Sequence, residues 1–232
     1  MKKIVAICGS KNQASKSYEY VNCVIKKITT LSTEIESVIY SPMNTNIQMC
    51  VQCYKCFTDG ICLLDEQDSM GKIKKDLLNA DFILWATPVY FHNVSAFNKL
   101  IIDRLSYWAH LFRLLGKPGI SIISAYNNGF GIVSDYMNKV FTYLGIHNVA
   151  TVYLGLANGH FDDKIDEYVD QIIMFVDNKK LVDATPEIEA IFKSLQLIFS
   201  HQNPENVEYQ YWKKNGYFDV NSYQDLLNKR LI

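Results

Sequence analysis

Five short apolar segments, separated by stretches with helical periodicity, are the feature that most limits the fold of this chain. The segments are Lys3–Cys8, Glu34–Tyr40, Phe82–Ala86, Gly119–Ser124 and His147–Leu154. Nearly continuous apolar runs of this length are typical of strands that are buried on both faces of a parallel sheet. Helices between successive strands then cover the two faces. We therefore predict an α/β fold with a doubly wound five-stranded parallel sheet.

Capping residues set the ends of several predicted helices. Ser95 is placed to begin a long helix after the third strand, and its apolar positions continue to Trp108. Gly145 is placed to end the helix after the fourth strand, where a left-handed residue is common. The last helix of the sheet domain is predicted to begin at Asp162 or Asp163.

The segment from residue 181 to residue 232 differs from the rest of the chain in its aromatic content. Pro186–His201 has the apolar spacing of a helix, and several aromatic residues follow it: Tyr209, Tyr211, Trp212, Tyr217, Phe218 and Tyr223. Disordered tails are poor in aromatic residues. We therefore predict a sheet domain over residues 1–180 and a helical, aromatic-rich C-terminal extension over residues 181–232. The extension is expected to pack on its own domain or on a partner subunit.

Charge and hydropathy exclude some classes of protein. The chain has 232 residues, of which 49% are hydrophobic, and a formal net charge of −1. This balance gives no electrostatic reason to bind nucleic acid or an anionic membrane. The apolar run near Met1 is shorter than the core of a secretory signal and is interpreted as the first strand. We predict a cytoplasmic protein whose cysteines are reduced or metal-bound.

The loops that follow strands one, three and four carry the polar residues expected of a binding site. In an open α/β sheet, ligands bind beyond the carboxyl ends of the strands. The first loop, Gly9–Ser17, leads into a helix, and its backbone N–H groups, serine hydroxyls and lysine suit a phosphate. It has neither the Walker A pattern nor G-x-G-x-x-G, so a flavin mononucleotide phosphate fits better than a triphosphate or a dinucleotide. A capped helix start without a ligand is the alternative.

The loop after strand three is rich in aromatic residues. Its sequence is Thr87-Pro-Val-Tyr-Phe-His-Asn-Val-Ser95, in which aromatic rings can flank a planar ligand and Asn93 can bond its polar edge. A hydrophobic cover over the sheet end is the alternative. His92 is a candidate proton donor. Asp103 and Arg104, in the following helix, are expected to form a structural ion pair.

Four of the six cysteines lie within a single short run, Cys50-Val-Gln-Cys53-Tyr-Lys-Cys56-Phe-Thr-Asp-Gly-Ile-Cys62. A short run of thiolates can hold an iron–sulfur cluster. Zinc usually takes two separated pairs and fits less well. Reduced thiols in a loop without metal are the other interpretation. Cys8 and Cys23 are expected to be small buried apolar residues.

Taken together, these motifs resemble the flavodoxin-like NADPH-dependent FMN reductase family, and especially its iron–sulfur flavoprotein branch. Four pieces match in order between about Lys3 and Gly155: GSKNQASKS, CVQCYKCFTDGIC, ATPVYFHNVSAFNKLIIDR and SAYNNGFG. The third piece, in which Pro-Val-Tyr is followed by Lys99 and Asp103-Arg104, is the most specific. The resemblance does not extend with any strength beyond about Leu181.

The resemblance implies that FMN is the cofactor and that NAD(P)H is a substrate. It also implies that the isoalloxazine ring lies between the Pro88–Asn93 loop and the Ser124–Gly129 loop. The implied phosphate and ribityl contacts are Ser10, Ser15, Lys16 and Ser17, and the implied ring contacts are Pro88, Val89, Tyr90, Phe91, Asn93, Ser124, Tyr126, Asn127 and Gly129. A homodimer or higher homo-oligomer is implied as well, because a second subunit often completes the flavin site in this family.

This chain departs from the family pattern at three places. Members often carry Pro-Arg where this chain has Lys11-Asn12, and Gly where it has His92. A common Asp-Asp-Met follows the fourth cysteine closely, whereas Asp68-Ser69-Met70 lies two residues further on.

Three hypotheses of function follow. The first is an NAD(P)H-dependent flavin oxidoreductase that passes electrons to a quinone, flavin, nitro or azo compound, or a protein, with no side chain required as a catalytic nucleophile or base. The second is an electron carrier with a [4Fe-4S] cluster on Cys50, Cys53, Cys56 and Cys62. The third is a non-redox flavodoxin-like binding module whose aromatic extension binds a partner.

Overall fold

Five parallel strands form one sheet in the computed structural model, which describes residues 1–155, 164–177 and 179–230. The strands are β1 (Lys2–Cys8), β2 (Ile35–Tyr40), β3 (Phe82–Pro88), β4 (Lys117–Ala125) and β5 (Ile146–Gly155), in the spatial order β2-β1-β3-β4-β5. All neighbouring pairs are parallel. The predicted flavodoxin-like fold is therefore confirmed.

Helices cover both faces of the sheet. They are α1 (Lys16–Leu31), α2 (Lys55–Thr58), α3 (Met70–Asn79), α4 (Ala96–Arg104), α5 (Ser106–Ala109), α6 (Phe130–Leu144), α7 (Ile165–Val176), α8 (Pro186–Ser200), α9 (Val207–Lys214) and α10 (Tyr223–Arg230). Alternate residues of β1 divide between the two cores. Val5 and Ile7 face α3–α6, whereas Ile4 and Ala6 face α1 and α7.

Two predicted helices differ from the observed ones. The long helix after Ser95 is interrupted at Leu105, where φ is −101° and ψ is 0°, and α5 begins after the interruption. Leu105 N donates to the carbonyls of both Ile101 and Ile102, which tightens the last turn of α4. The predicted start of α7 at Asp162 or Asp163 lies outside the described residues. Gly145 does end α6, with a φ of 85°.

The C-terminal helices pack on the face of the sheet that carries α3–α6. The ring of Trp212 stacks on that of Phe192 at a centroid distance of 5.3 Å, and its Nε1 donates to the His110 carbonyl at 2.8 Å. Phe112 is fully buried against these rings with a φ of 43°. The extension thus shares one apolar core with the sheet domain. A division of the chain at residue 180 stays a prediction.

The two cysteines outside the run have different environments. Cys8 is fully buried at the end of β1, and burial raises the pKa of its thiol to about 11. The prediction that Cys23 is buried is wrong, because its side chain is half-buried. It lines a groove between α1 and α7 together with Asp166 and Val169.

Candidate functional site

The loops after β1, β3 and β4 meet at the carboxyl edge of the sheet. The strand order reverses between β1 and β3, which makes this edge the topological switch point where open α/β sheets bind their ligands. The polar and aromatic loops identified in the sequence are therefore brought to one place by the topology of the sheet.

A close contact fixes the first loop against the start of α4. A Cβ atom at Gly9 would lie 2.3 Å from Ser95 Oγ and 2.5 Å from Asn98 Nδ2. The Asn98 side chain is fully buried, donates to the Ala86 carbonyl at 3.0 Å and accepts from Trp85 Nε1 at 3.2 Å. Only glycine allows this approach, so the loops after β1 and β3 hold a fixed relative position.

The predicted phosphate-binding residues surround the first turn of α1. Ser15 caps the helix and accepts from Tyr18 N at 3.3 Å, while Lys16 Nζ lies 3.5 Å from Glu19 Oε2. Ser17 is buried, and its Oγ lies 3.0 Å from Ser124 Oγ at the end of β4. Ser10 is buried and its Oγ accepts from the backbone of Asn12 at 3.1 Å. Hydroxyl groups, a cation and the positive end of a helix dipole are the donor set that phosphate requires.

The aromatic loop forms a tight turn that presents its side chains to solvent. Tyr90 and Asn93 exchange two backbone hydrogen bonds of 3.0 Å, and the central residues Phe91 and His92 have φ values of 49° and 57°. Two successive positive φ values are typical of a type I′ turn and usually require Gly or Asn. This geometry gives a physical reason for the Gly that family members often carry at the position of His92. The side chain of Phe91 is fully exposed as a result.

The loop after β4 lies against the aromatic turn. Val89 N donates to the Ser124 carbonyl at 2.8 Å, and a Cβ at Gly129 would lie 2.8 Å from Val89 Cγ1. Gly129 has a φ of 83°, so both its conformation and its surroundings exclude a side chain. Tyr126 and Asn127 are exposed on the same loop.

The loops after β1, β3 and β4 together form a surface at the strand tips, which we call the shelf. Phosphate donors lie on the shelf at the start of α1, and exposed aromatic rings lie on the loops after β3 and β4. The residues that the sequence assigned to FMN are therefore brought together: Ser10, Ser15, Lys16 and Ser17 at the start of α1, and Pro88, Val89, Tyr90, Phe91, Asn93, Ser124, Tyr126, Asn127 and Gly129 along the two neighbouring loops. The donor chemistry and the exposed apolar rings fit a phosphorylated planar ring. Their assignment to FMN stays a prediction.

The four-cysteine run lies in the long connection between β2 and α3. Cys50, Cys56 and Cys62 line a cavity of about 590 Å³ together with Lys99 and Leu100 of α4. Burial raises the pKa of the Cys56 thiol, and the neighbouring Cys62 and Cys50 raise it further. Cys53 is exposed and does not line this cavity.

The donor chemistry of this run suits an iron–sulfur cluster, whereas its geometry is not that of an assembled metal site. Within residues 1–155, 164–177 and 179–230, no three His, Cys, Asp or Glu side chains converge to hold a metal ion. The thiols would have to move towards one another to share a cluster. The metal ligation by Cys50, Cys53, Cys56 and Cys62 therefore stays a prediction.

Two buried polar residues of α4 have roles that the sequence analysis did not identify. Asn98 and Arg104 lie on the buried side of the helix together with Ile101. Polar residues within an otherwise apolar stripe are the signal that identifies them. The expected Asp103–Arg104 pair is not formed, because Asp103 pairs with Lys99 on the surface while Arg104 turns inward to Asp65 and Asp68. Burial acts to raise the pKa of Asp68, but hydrogen bonds from Arg104 and the backbone outweigh it and lower that pKa.

The family model for NADPH-dependent FMN reductase matches residues 2–161 of the chain. The chain belongs to this family. The match covers the whole sheet and the three loops of the shelf, whereas α7–α10 lie beyond it.

Relatives within the family include iron–sulfur flavoproteins. The chain is 28% identical over 222 residues to an iron–sulfur flavoprotein of Archaeoglobus fulgidus, a match that covers 93% of this chain and 99% of the relative. It is 28% identical over 162 residues to an iron–sulfur flavoprotein of Methanosarcina thermophila, with 68% of this chain and 80% of the relative covered.

A solved NADH:FMN oxidoreductase in its apo form has the same fold, with a TM-score of 0.56 and 18% identity over 81% of this chain and 94% of that one. No helix within the described part of the chain is long and apolar enough to cross a membrane.

Proposed function

We propose that the chain is an FMN-dependent oxidoreductase that takes electrons from NAD(P)H at the strand-tip shelf. The observation that carries this proposal is the fixed arrangement of the three loops at the switch point. Gly9 is locked against Ser95 and Asn98, and Ser17 is bonded to Ser124. Membership of the FMN reductase family supports the same cofactor.

Each loop has a distinct role in this proposal. The start of α1 holds the phosphate through Ser10, Ser15, Lys16 and Ser17, because a helix N-terminus and hydroxyl donors stabilise an anion there. The turn from Tyr90 to Asn93 and the loop after β4 flank the ring. In this proposal one face of the shelf stays open to solvent. The nicotinamide binds there first, and an electron acceptor binds there after the nicotinamide has left.

When bound, FMN supplies the hydride acceptor and the electron carrier that no amino-acid side chain provides. The chain binds, orients and partly covers the ring, and none of its side chains has to act as a nucleophile. The rigid contacts of Asn98 reduce the entropy that would otherwise be lost when the loops close on a ligand. The electron acceptor in this proposal is a quinone, a flavin, a nitro or azo compound, or a protein.

Comparison of FMN with riboflavin tests the phosphate site. The purified protein should bind FMN more tightly than riboflavin, because only FMN carries the phosphate. Lys16→Met should weaken FMN binding roughly three- to tenfold, because it removes a charge-assisted hydrogen bond to the phosphate. The effect is no larger because solvent screens the charge of this half-exposed side chain. Riboflavin binding should not change. Lys26→Met, on the exposed side of α1, is the matched control.

Equal affinity for FMN and riboflavin would contradict the phosphate assignment. The donor is tested separately, by adding NADH or NADPH to the FMN-loaded protein without oxygen and following the loss of flavin absorbance. A protein that binds FMN but is not reduced by either nucleotide would refute the oxidoreductase proposal while leaving the binding site intact.

An electron carrier with a [4Fe-4S] cluster is the second candidate. It is favoured by the shared cavity of Cys50, Cys56 and Cys62 and by the names of the relatives. Anaerobic reconstitution should then give about four irons per chain. Cys56→Ser should lower the iron content, and Cys23→Ser, on α1, should not. A chain without iron after reconstitution would reject this candidate.

Some details remain predictions from the sequence. These are the homodimer or higher oligomer, the cytoplasmic location and the preference between NADH and NADPH. The third hypothesis, a binding module without redox chemistry, is set aside because family membership favours a flavin oxidoreductase.

A further inference from the structure

The connection that carries the four cysteines is closed at its base by a set of cross-links between its two ends. Asn46 and Ser69 are joined twice, by Ser69 N to the Asn46 carbonyl at 2.8 Å and by Asn46 N to Ser69 Oγ at 3.0 Å. Gln48 N donates to Asp68 Oδ2 at 2.9 Å. The segment between Gln48 and Asp68 is therefore a closed loop, which we call the cysteine loop.

One buried guanidinium joins both ends of the cysteine loop. Arg104 Nη1 donates to the Gln48 carbonyl at 2.9 Å and to Asp68 Oδ2 at 2.5 Å. Its Nη2 donates to Asp65 Oδ1 at 2.8 Å. The side chain of Arg104 is 1% exposed and that of Asp68 is 0% exposed, so water does not replace these bonds.

Arg104 also forms part of the cavity that contains the thiols. The cavity of about 590 Å³ is lined by Arg104 and by Cys50, Cys56 and Cys62. The Nε of Arg104 is buried and has no hydrogen-bond partner within the part of the chain that the structure describes. Arg104 thus closes the base of the cysteine loop and also borders the cavity that Cys50, Cys56 and Cys62 line.

The conformation of the cysteine loop needs such a support. Gln52 and Tyr54 have φ values of 54° and 57°, which are strained backbone conformations for residues other than glycine. Such conformations persist only where surrounding contacts impose them. No apolar side chain of the loop is fully buried, since Val51 and Tyr54 are exposed and Phe57 is half-buried against Tyr107.

We propose that Arg104 is the positioning residue of the cysteine loop, and that its bonds to Gln48, Asp65 and Asp68 set how the thiols face their cavity. Lysine cannot replace it, because one ammonium group does not span three acceptors in a planar arrangement. This role is independent of flavin binding and of any cluster.

The rates at which the six cysteines are alkylated in the folded protein test this proposal. Mass spectrometry measures the rate at each cysteine separately. Arg104→Lys should raise the rates at the half-buried Cys56 and Cys62 at least about tenfold, because the loop opens more often. The exposed Cys50 and Cys53 should change less than about twofold, since they already react freely. Cys8, fully buried in β1, should stay unreactive and reports on the rest of the fold.

Asp103→Asn is the matched control, because Asp103 borders the same cavity, in a half-exposed ion pair with Lys99, but takes no part in the bonds at the base of the loop. It should leave all six rates within about twofold of those of the native protein. Asp65→Ala removes one acceptor of Arg104 together with the Asp65–Lys74 ion pair, whereas Lys74→Met removes that ion pair alone. Asp65→Ala should raise the rates at Cys56 and Cys62 less than Arg104→Lys does and more than Lys74→Met does, which keeps the test available if Arg104→Lys does not fold.

Two results would overturn the proposal. One is a rate at Cys56 and Cys62 in Arg104→Lys that equals the rate in Asp103→Asn. The other is a parallel rise at Cys8, which would mean that Arg104 supports the whole fold and not the loop. Neither result depends on FMN, so failure here leaves the proposed oxidoreductase function untouched.

Discussion

Substitution of Gly9 by alanine tests whether the contact between the first loop and α4 is as rigid as the structure indicates. The new Cβ would lie 2.3 Å from Ser95 Oγ and 2.5 Å from Asn98 Nδ2, distances at which atoms must move. Asn98 has no room to withdraw, because it is fully buried and both ends of its amide are hydrogen-bonded.

The magnitude follows from these contacts. Insertion of a methyl group into a packed site costs about 1–3 kcal/mol. Displacement of Asn98 would also leave Trp85 Nε1 buried without an acceptor, which costs about 1–3 kcal/mol more. We expect Gly9→Ala to lower the free energy of unfolding by about 2–6 kcal/mol, a large part of the stability of a typical domain.

Urea unfolding followed by far-ultraviolet circular dichroism measures this change by linear extrapolation. Gly131→Ala is the matched control, because a Cβ at Gly131 meets nothing within 4 Å and the residue lies in α6. Alanine should raise stability there by up to about 1 kcal/mol, since it loses less backbone entropy. Two variants with the same chemical change should thus move in opposite directions. If Gly9→Ala stayed within about 0.5 kcal/mol of the native protein, the close contact would not exist in solution.

Three further substitutions probe the shelf, the sheet edge and the extension. Phe91→Ala should change the free energy of unfolding by less than about 0.5 kcal/mol, because the side chain is fully exposed, while FMN binding weakens several-fold through loss of an aromatic contact. Burial lowers the pKa of His147 to about 4 from 6.5, so the unfolded chain takes up this proton first as the pH falls. Stability should therefore decrease by up to about 3 kcal/mol between pH 6.5 and 4, and His147→Gln should remove that part of the pH dependence. Trp212→Ala should cost about 3–5 kcal/mol, because the indole is fully buried.

Each of these expectations has an outcome that contradicts it. Unchanged FMN affinity in Phe91→Ala, measured by fluorescence titration, would remove the aromatic turn from the flavin site. A His147→Gln variant whose unfolding free energy still falls by the same amount would assign the acid sensitivity to other groups. A loss of less than about 1 kcal/mol in Trp212→Ala would mean that the extension is not part of the common core.

The parts of the fold that local chemistry determines were predictable from the sequence. Continuous apolar runs such as Phe82–Ala86 are typical of strands buried on both faces, and Gly145 supplies the left-handed residue that ends α6. The strand-tip location of the shelf followed from topology alone. The aromatic content of the extension indicated that it packs, but the surface that it covers depends on partners such as Phe112, which are distant in the sequence.

The parts that depend on long-range polar contacts were not predictable. Arg104 was expected to pair with its neighbour Asp103, whereas its partners Asp65 and Asp68 lie more than thirty residues earlier in the chain. The exposure of Cys23 depends on the groove between α1 and α7, and helix periodicity does not contain that information. Asn98 shows the same limitation, because its partners are backbone and indole groups of β3.

One short helix supports both parts of the candidate site. The buried side of α4 carries Asn98, which fixes the loops of the shelf, and Arg104, which fixes the cysteine loop. Within the described residues, four of the five non-glycine residues with positive φ lie in the two loops that these side chains hold or adjoin: Gln52, Tyr54, Phe91 and His92. Strained conformations need external support, and a rigid helix with buried polar contacts provides it. We therefore expect a displacement of α4 to disturb the aromatic turn and the thiols together.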